Sequence, residues 1–248
     1  MADARYDGLS SGELRARFGV PCVLVFDQVG STLDAAHDAA RSRMPAGTLI
    51  LADQQTAGRG RSGNRWSSAA GAGIWLTIIE RPAHRDAIDV LAIRLGLRAA
   101  PVLDQWADSP IRLKWPNDLL DGRGKIGGIL VESRWQDERL DWVAIGMGLN
   151  VRRPGDVPGA SALRPGCSRV EILSDLIPAI RAAAQAPGML TPDELAAWHA
   201  RDAGRGRRCR EPIAGEVMGI DRAGSLLVRA PDGVRACRSG SLVFQEES

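Results

Sequence analysis

The sequence predicts an α+β chain, a mixed β-sheet flanked by helices and followed by a small barrel of short strands. Three observations point there. Apolar runs of strand length alternate with stretches of helical period along most of the chain. A turn sequence, Asp121-Gly122-Arg123-Gly124, folds one such run back on another as a hairpin. From about Gly204 the pattern changes to short strands separated by turns.

Taken in order, residues up to about Pro21 read as a helical lead-in, with Ser10 or Ser11 capping Glu13 to Phe18. Cys22 to Phe26 is a strand that runs into Asp27-Gln28-Val29-Gly30-Ser31-Thr32. Leu33 to Arg43 follows as a helix, which Ser31 or Thr32 caps. Taken alone, the two hydroxyls read equally well as caps and nothing more. Thr48 to Asp53 and Gly73 to Ile79 read as buried strands. Between them lies Gly58-Arg59-Gly60-Arg61-Ser62-Gly63-Asn64-Arg65-Trp66, where glycines alternate with arginines and an indole closes the run. Glycine lets backbone approach a ligand closely, and each guanidinium grips phosphate or carboxylate oxygens with two donors. A disordered basic tail has the same composition. The flanking core strands favour an ordered ligand loop instead.

Asp86 to about Leu97 repeats Ile88, Leu91 and Leu95 at helical spacing, and Pro101 then kinks the helix or starts a second. Ile111 to Trp115 alternates as a strand that stops at Pro116. Lys125 to Glu132 is expected to pair back on it, placing Asp118 and Lys125 near one end of the same hairpin. Trp142 to Asn150 is a strand whose alternate glycines leave one face bare, which invites a close neighbour. Residues 152–169 read as a proline- and glycine-rich loop. Helix Val170 to Ala184 follows, with Pro178 as a kink, and a helix opens at Thr191-Pro192-Asp193-Glu194 through a capping box. The arginines 205, 207, 208 and 210 read as a solvated linker.

At 248 residues and 44% hydrophobic content the chain buries a full core, and a net charge of +2 argues against general affinity for nucleic acid or membranes. The cysteines Cys22, Cys167, Cys209 and Cys237 lie too far apart for a zinc motif or disulfide framework. The first residues lack the basic start and apolar stretch of a leader, and nothing is long enough to span a bilayer, so the expected location is the cytoplasm. His37, His84 and His199 read as surface or structural residues, with no ligand spacing for a metal.

Four blocks, Gly58-Arg59-Gly60-Arg61 with Trp66, Lys114-Trp115-Pro116-Asn117-Asp118, Lys125-Ile126-Gly127-Gly128-Ile129-Leu130 and Gly146-Met147-Gly148-Leu149-Asn150, resemble in order the signature blocks of the biotin protein ligase family. The likeness covers roughly Phe26 to the end and fits the short form without an N-terminal DNA-binding domain, because about thirty residues precede Ser31. It implies a catalytic domain over 1–205, of the class II aminoacyl-tRNA synthetase and biotin ligase type, and an SH3-like barrel over 206–248.

The implied reaction uses biotin, ATP and Mg²⁺. Biotin's carboxylate attacks the α-phosphate to give biotinyl-5′-AMP, and a lysine of a biotin carboxyl carrier protein then takes the biotinyl group. The implied catalytic residues are Lys125, Arg61 and Asp118. Biotin would be held by Ser31, Thr32, Gln55, Gly58, Arg59, Gly60, Arg61, Lys125 and Gly128. ATP would be held by Arg61, Trp66, Asn117, Lys125 and Asn150, with Trp66 stacking on adenine and Asn150 reading its edge. No dedicated metal site is implied; magnesium would come with ATP. Trp115 reads as core packing.

Two positions depart from the pattern. Asn64 stands where the family has arginine, with Arg65 beside it, and Leu33 stands where asparagine is frequent. The expected protein is a monomer or homodimer that meets neither DNA nor membrane. Rival readings are a lipoate or octanoate ligase or transferase, a biotin-sensing repressor, and a non-catalytic biotin-binding module. The first normally lacks the glycine-arginine run, the second needs more chain before Ser31, and the third has no use for Lys125 and Asp118.

Overall fold

The computed structural model describes residues 4–82, 84–155 and 157–245; the end residues of the two expected domains, 1–3 and 246–248, lie outside it. A seven-stranded sheet forms the body, in the order β1-β2-β3-β7-β6-β5-β4. Its strands are β1 (Val23–Val29), β2 (Leu49–Gln55), β3 (Gly73–Glu80), β4 (Arg112–Lys114), β5 (Asp118–Asp121), β6 (Gly124–Gln136) and β7 (Arg139–Asn150). β1 and β2 pair in parallel through a crossover helix, α2 (Thr32–Arg41), while every other neighbouring pair is antiparallel. The sheet is therefore mixed, as expected.

Alternation along the central strands divides the core. Leu49, Leu51, Ile78, Val143 and Ile145 point to the face covered by α3 (Leu91–Asp104) and α4 (Arg169–Gln185). Ile50, Ile79 and Ala144 point to the other, where α2 lays Leu33, Ala36 and Ala40. β3 is consequently buried along its whole length and is apolar on both faces save for Thr77 and the terminal Glu80, rather than alternating.

Several expectations need correcting. β6 pairs with β5 and β7, not with β4; Asp118–Asp121 is itself a strand, and the Asp121 to Gly124 turn joins it to β6. Asp121 Oδ1 accepts hydrogen bonds from the backbone of Arg123 and Gly124, which closes that turn. The helix expected from Asp86 begins as a 3₁₀ segment, Arg85–Val90, and α3 proper then runs through Pro101 without stopping. α4 contains Pro178 within the helix, where it was expected. Of the two serines expected to cap α1 (Ser11–Phe18), Ser10 does so, in a capping box with Glu13, and the capping box of α5 (Pro192–Arg201), on Thr191 and Glu194, forms as read.

A second, five-stranded antiparallel sheet stands where the small barrel is expected. Its strands β8 (Arg208–Glu211), β9 (Gly215–Ile220), β10 (Leu226–Ala230), β11 (Gly233–Cys237) and β12 (Val243–Phe244) run in the order β11-β10-β9-β8-β12. Arg208 and Arg210 thus belong to a strand, not to a linker. Trp115 is buried, and its indole Nε1 donates to Gly224 O at 2.9 Å, so it docks this sheet on the body as well as packing. All four cysteines are free. No described helix is long and apolar enough to cross a membrane.

Candidate active site

One cavity of about 420 Å³ opens on the α2 face of the main sheet, where β3, β7 and β6 meet the glycine-arginine loop. Its size suits a small organic ligand. The floor is the cross-strand pair Gly128 and Gly148. A Cβ at Gly148 would lie 2.6 Å from Trp66 Nε1, so the bare face of β7 has its close neighbour: the indole lies on it. Leu33 fills the corresponding space over Gly146, at 3.1 Å from a would-be Cβ. Trp66 also meets Trp75 edge-on at 6.5 Å, and its Nε1 is buried with no partner among the described residues.

The polar end of the cavity is built from the start of α2. Ser31 Oγ accepts from Leu33 N and caps the helix, while facing the cavity. Gln55 Oε1 accepts from both the backbone N–H and the hydroxyl of Thr32, at 2.8 and 3.0 Å. Thr77 donates to the Thr32 hydroxyl, and Gln55 Nε2 donates to Ser68. These hydroxyls and the amide are fixed in advance, which suits recognition of a compact polar group.

The glycine-arginine loop is ordered. Gly58 is buried behind the cavity wall rather than on it: a Cβ there would meet Trp66 O at 2.5 Å. Arg59 lines the cavity, yet its guanidinium is engaged by Asp34 at 2.9 Å and Glu132 at 3.0 Å. Glu132 is held in turn by His37 Nε2 at 2.8 Å. Gly60 and Arg61 reach the cavity, and Arg61 Nη1 donates to Gly240 O at 3.1 Å. Burial lowers the pKa of Arg61, an effect that Asp118 opposes. Asn64 and Arg65 also border the cavity, and Arg65 spends one donor on Thr56 O.

On the opposite wall Lys125 Nζ sits 2.6 Å from Asp118 Oδ1 and 5.2 Å from the Trp66 ring centre. Asn117 Nδ2 donates to Ile129 O at 2.6 Å, bracing the strand that carries Gly128. Asn150 Nδ2 donates to Ser161 O at 2.9 Å, so this amide holds a loop while it faces the cavity.

Three groups of wall residues escaped the sequence reading. The loop after β7 closes one side, because Lys125 N donates to Gly159 O and Ser161 N donates to Lys125 O, both at 2.8 Å. Its proline and glycine content announced a loop and nothing about where it lands. Ser241 and Leu242 reach in from the second sheet. Lys114 also lines the cavity, and its place in the Lys114 to Asp118 block was the signal available. Among the described residues no three His, Cys, Asp or Glu side chains converge as a metal cage.

Residues 25–150 match the model of the Biotin/lipoate A/B protein ligase family. A biotin–[acetyl-CoA-carboxylase] ligase of Paracoccus denitrificans is 32% identical over 230 residues, spanning 79% of this chain and 89% of its own. One from Mycobacterium tuberculosis is 34% identical over 217 residues, spanning 80% and 78%. The solved biotin protein ligase of Aquifex aeolicus in complex with biotin and ATP superposes with a TM-score of 0.71 at 22% identity, over 91% of this chain and 99% of the other.

Proposed function

The chain belongs to the biotin/lipoate A/B protein ligase family, and on that premise we propose how its cavity works. The protein is an ATP-dependent biotin ligase. A biotin carboxylate oxygen bonds to the α-phosphorus of ATP as pyrophosphate leaves, and a lysine amine of a biotin carboxyl carrier protein then attacks the acyl carbon and expels AMP. The observation that carries the reading is one cavity with a prearranged polar end at Thr32 and Gln55 and cations at the other, Lys125 and Arg61.

In this reading the ureido ring of biotin sits against Ser31, Thr32 and Gln55, on a floor that Gly128 keeps low. Lys125 lies between carboxylate and α-phosphate and offsets the repulsion of two anions that must touch. Arg61 adds charge from the loop, and Gly60 lets that loop come close. Arg59 acts through its two carboxylates, as an anchor that keeps the loop against α2 and β6. Asp118 is poised to take a proton from the acceptor amine once Lys125 turns to phosphate. Trp66 and Asn150 receive adenine, and Asn117 holds the strand beneath.

The donor set fits a magnesium ion carried mainly by triphosphate oxygens, with Asp118 the one carboxylate among the described lining residues; bound there, it would supply neutralisation of phosphate charge. The second sheet we take as an SH3-like domain over 206–248, after a catalytic domain over 1–205. A cytoplasmic monomer or homodimer without DNA or membrane partners completes the reading. The lipoate alternative is not favoured, since the named relatives ligate biotin. Incubation with ATP, magnesium, biotin and a carrier domain tests it, with lipoate as control. Biotinylated carrier is the expected product, and lipoylation in preference to biotinylation would reverse the assignment.

A further inference from the structure

A second lysine in the cavity has no task in the account above. Lys114 ends β4 and lines the same space as Lys125 and Arg61. Its ammonium makes no hydrogen bond or ion pair among the described residues. Asp118 is the one carboxylate among the described lining residues, and Lys125 already engages it. What Lys114 does meet is an aromatic ring of the second sheet: its Nζ lies 5.5 Å from the centre of Phe244, and the guanidinium of Arg207 lies 3.6 Å from the same centre.

A half-buried cation beside other cations is costly to keep charged. Burial lowers the pKa of Lys114, Asp118 opposes this, and Lys125 and Arg207 add to the lowering. An incoming anion would relieve that cost. Elsewhere in the cavity the charges are arranged differently. Arg59 is satisfied by two carboxylates and Lys125 by one. Among the described residues Arg61 has only a neutral carbonyl, Gly240 O. Among the described lining residues the charge without a carboxylate partner therefore sits on Lys114, Arg61 and Arg65, and the first two meet the C-terminal segment, at Phe244 and at Gly240 O.

We propose that Lys114 holds the β- and γ-phosphates of ATP, and so the pyrophosphate that departs in the first half-reaction. This rests on the ligase reading and deepens it. As the carboxylate oxygen bonds to the α-phosphorus, the bond from that phosphorus to the bridging oxygen breaks, and its electron pair stays with pyrophosphate. Negative charge grows on the leaving group beside Lys114, and no proton need move. Lys125 serves the atoms that join; Lys114 serves the group that leaves.

The two half-reactions separate these roles in the full-length protein. Lys114→Met keeps an apolar stem over Phe244 and removes the charge; Lys114→Arg keeps the charge. Biotin-dependent ATP–pyrophosphate exchange should fall about 10- to 100-fold in the methionine variant, with weaker saturation by pyrophosphate, and recover largely in the arginine variant. Transfer from supplied biotinyl-5′-AMP to a carrier domain, without ATP, should change by less than about threefold. Undiminished exchange in Lys114→Met, or equal loss in both half-reactions, would overturn the assignment. Wild-type protein inert in both assays would remove the ligase reading and the proposal with it.

Discussion

Lys125 and Asp118 form an ion pair of 2.6 Å although they are not partners in the ladder: Asp118 faces Gly128 and Lys125 faces Leu120. The ammonium reaches diagonally along the strands over a residue without a side chain, its Cε 3.5 Å from where a Gly128 Cβ would sit. A methyl at 128 would touch the lysine stem and the Trp66 ring at ordinary contact distance, so glycine there leaves Lys125 added room to swing from carboxylate to substrate.

Lys125→Ala should lower ATP–pyrophosphate exchange by at least about 100-fold, the scale of losing a charge placed at a developing anion. Folding should survive, since a partly exposed ion pair contributes about 0–1 kcal/mol. Exchange at the wild-type rate with unchanged circular dichroism would remove Lys125 from the chemistry.

Arg61→Ala should release biotinyl-AMP about tenfold faster, because the variant loses both a charge near phosphate and the tie to Gly240 O. A chase of labelled adenylate by unlabelled biotin and ATP measures this. An unchanged dissociation rate would show that the loop is held without it.

Gly148→Ala places a methyl 2.6 Å from Trp66 Nε1 and 2.7 Å from Cε2. The indole must move, costing about 1–3 kcal/mol of stability. The KM for ATP should rise about tenfold, because the stacking surface is displaced. A variant with normal Tm and normal KM would mean that the indole is free to relocate.

Acid should unfold the protein partly through Glu194. Burial alone would raise its carboxyl, but hydrogen bonds from Arg94 and from the backbone of Thr191 outweigh it and hold the group below the usual range. A lowered folded pKa contributes stability that is present above the unfolded value of about 4.3 and is lost as pH falls through the folded one. Arg94 is 1% exposed and depends on this partner, so Glu194→Gln should cost about 3 kcal/mol at neutral pH. It should also flatten the acid limb of stability against pH. Parallel limbs for variant and wild type would rule this contribution out.

Local chemistry made much of this legible. The cap at Ser10, the capping box at Thr191, the alternate glycines of β7 and the turn at Asp121 each act over a few residues and appear in place. Where partners are distant, the reading failed. Asp118–Asp121 is polar at both ends and follows a proline, so only its pairing with Gly124 to Gly128 makes it a strand. Pro101, read as a kink or as the start of a second helix, sits inside one continuous α3, which packs on α4. The site shows the same division. Residues within motif blocks converge, whereas the fate of Arg59 depends on Asp34 and Glu132, which no block contains. Gly58 was legible as a glycine that permits close approach, but what approaches is its own chain.

Leu33 and Gly146 share one volume, with 3.1 Å between the leucine and the methyl that alanine at 146 would bring. Neither position can drift in size unless the other yields, so inheritance should treat the two as a single locus. Engineering can exploit the same constraint. Varied singly, each site would reject bulk; exchanged as a pair, with bulk moved from helix to strand, they would recast the contour of this wall for ring systems unlike the natural vitamin.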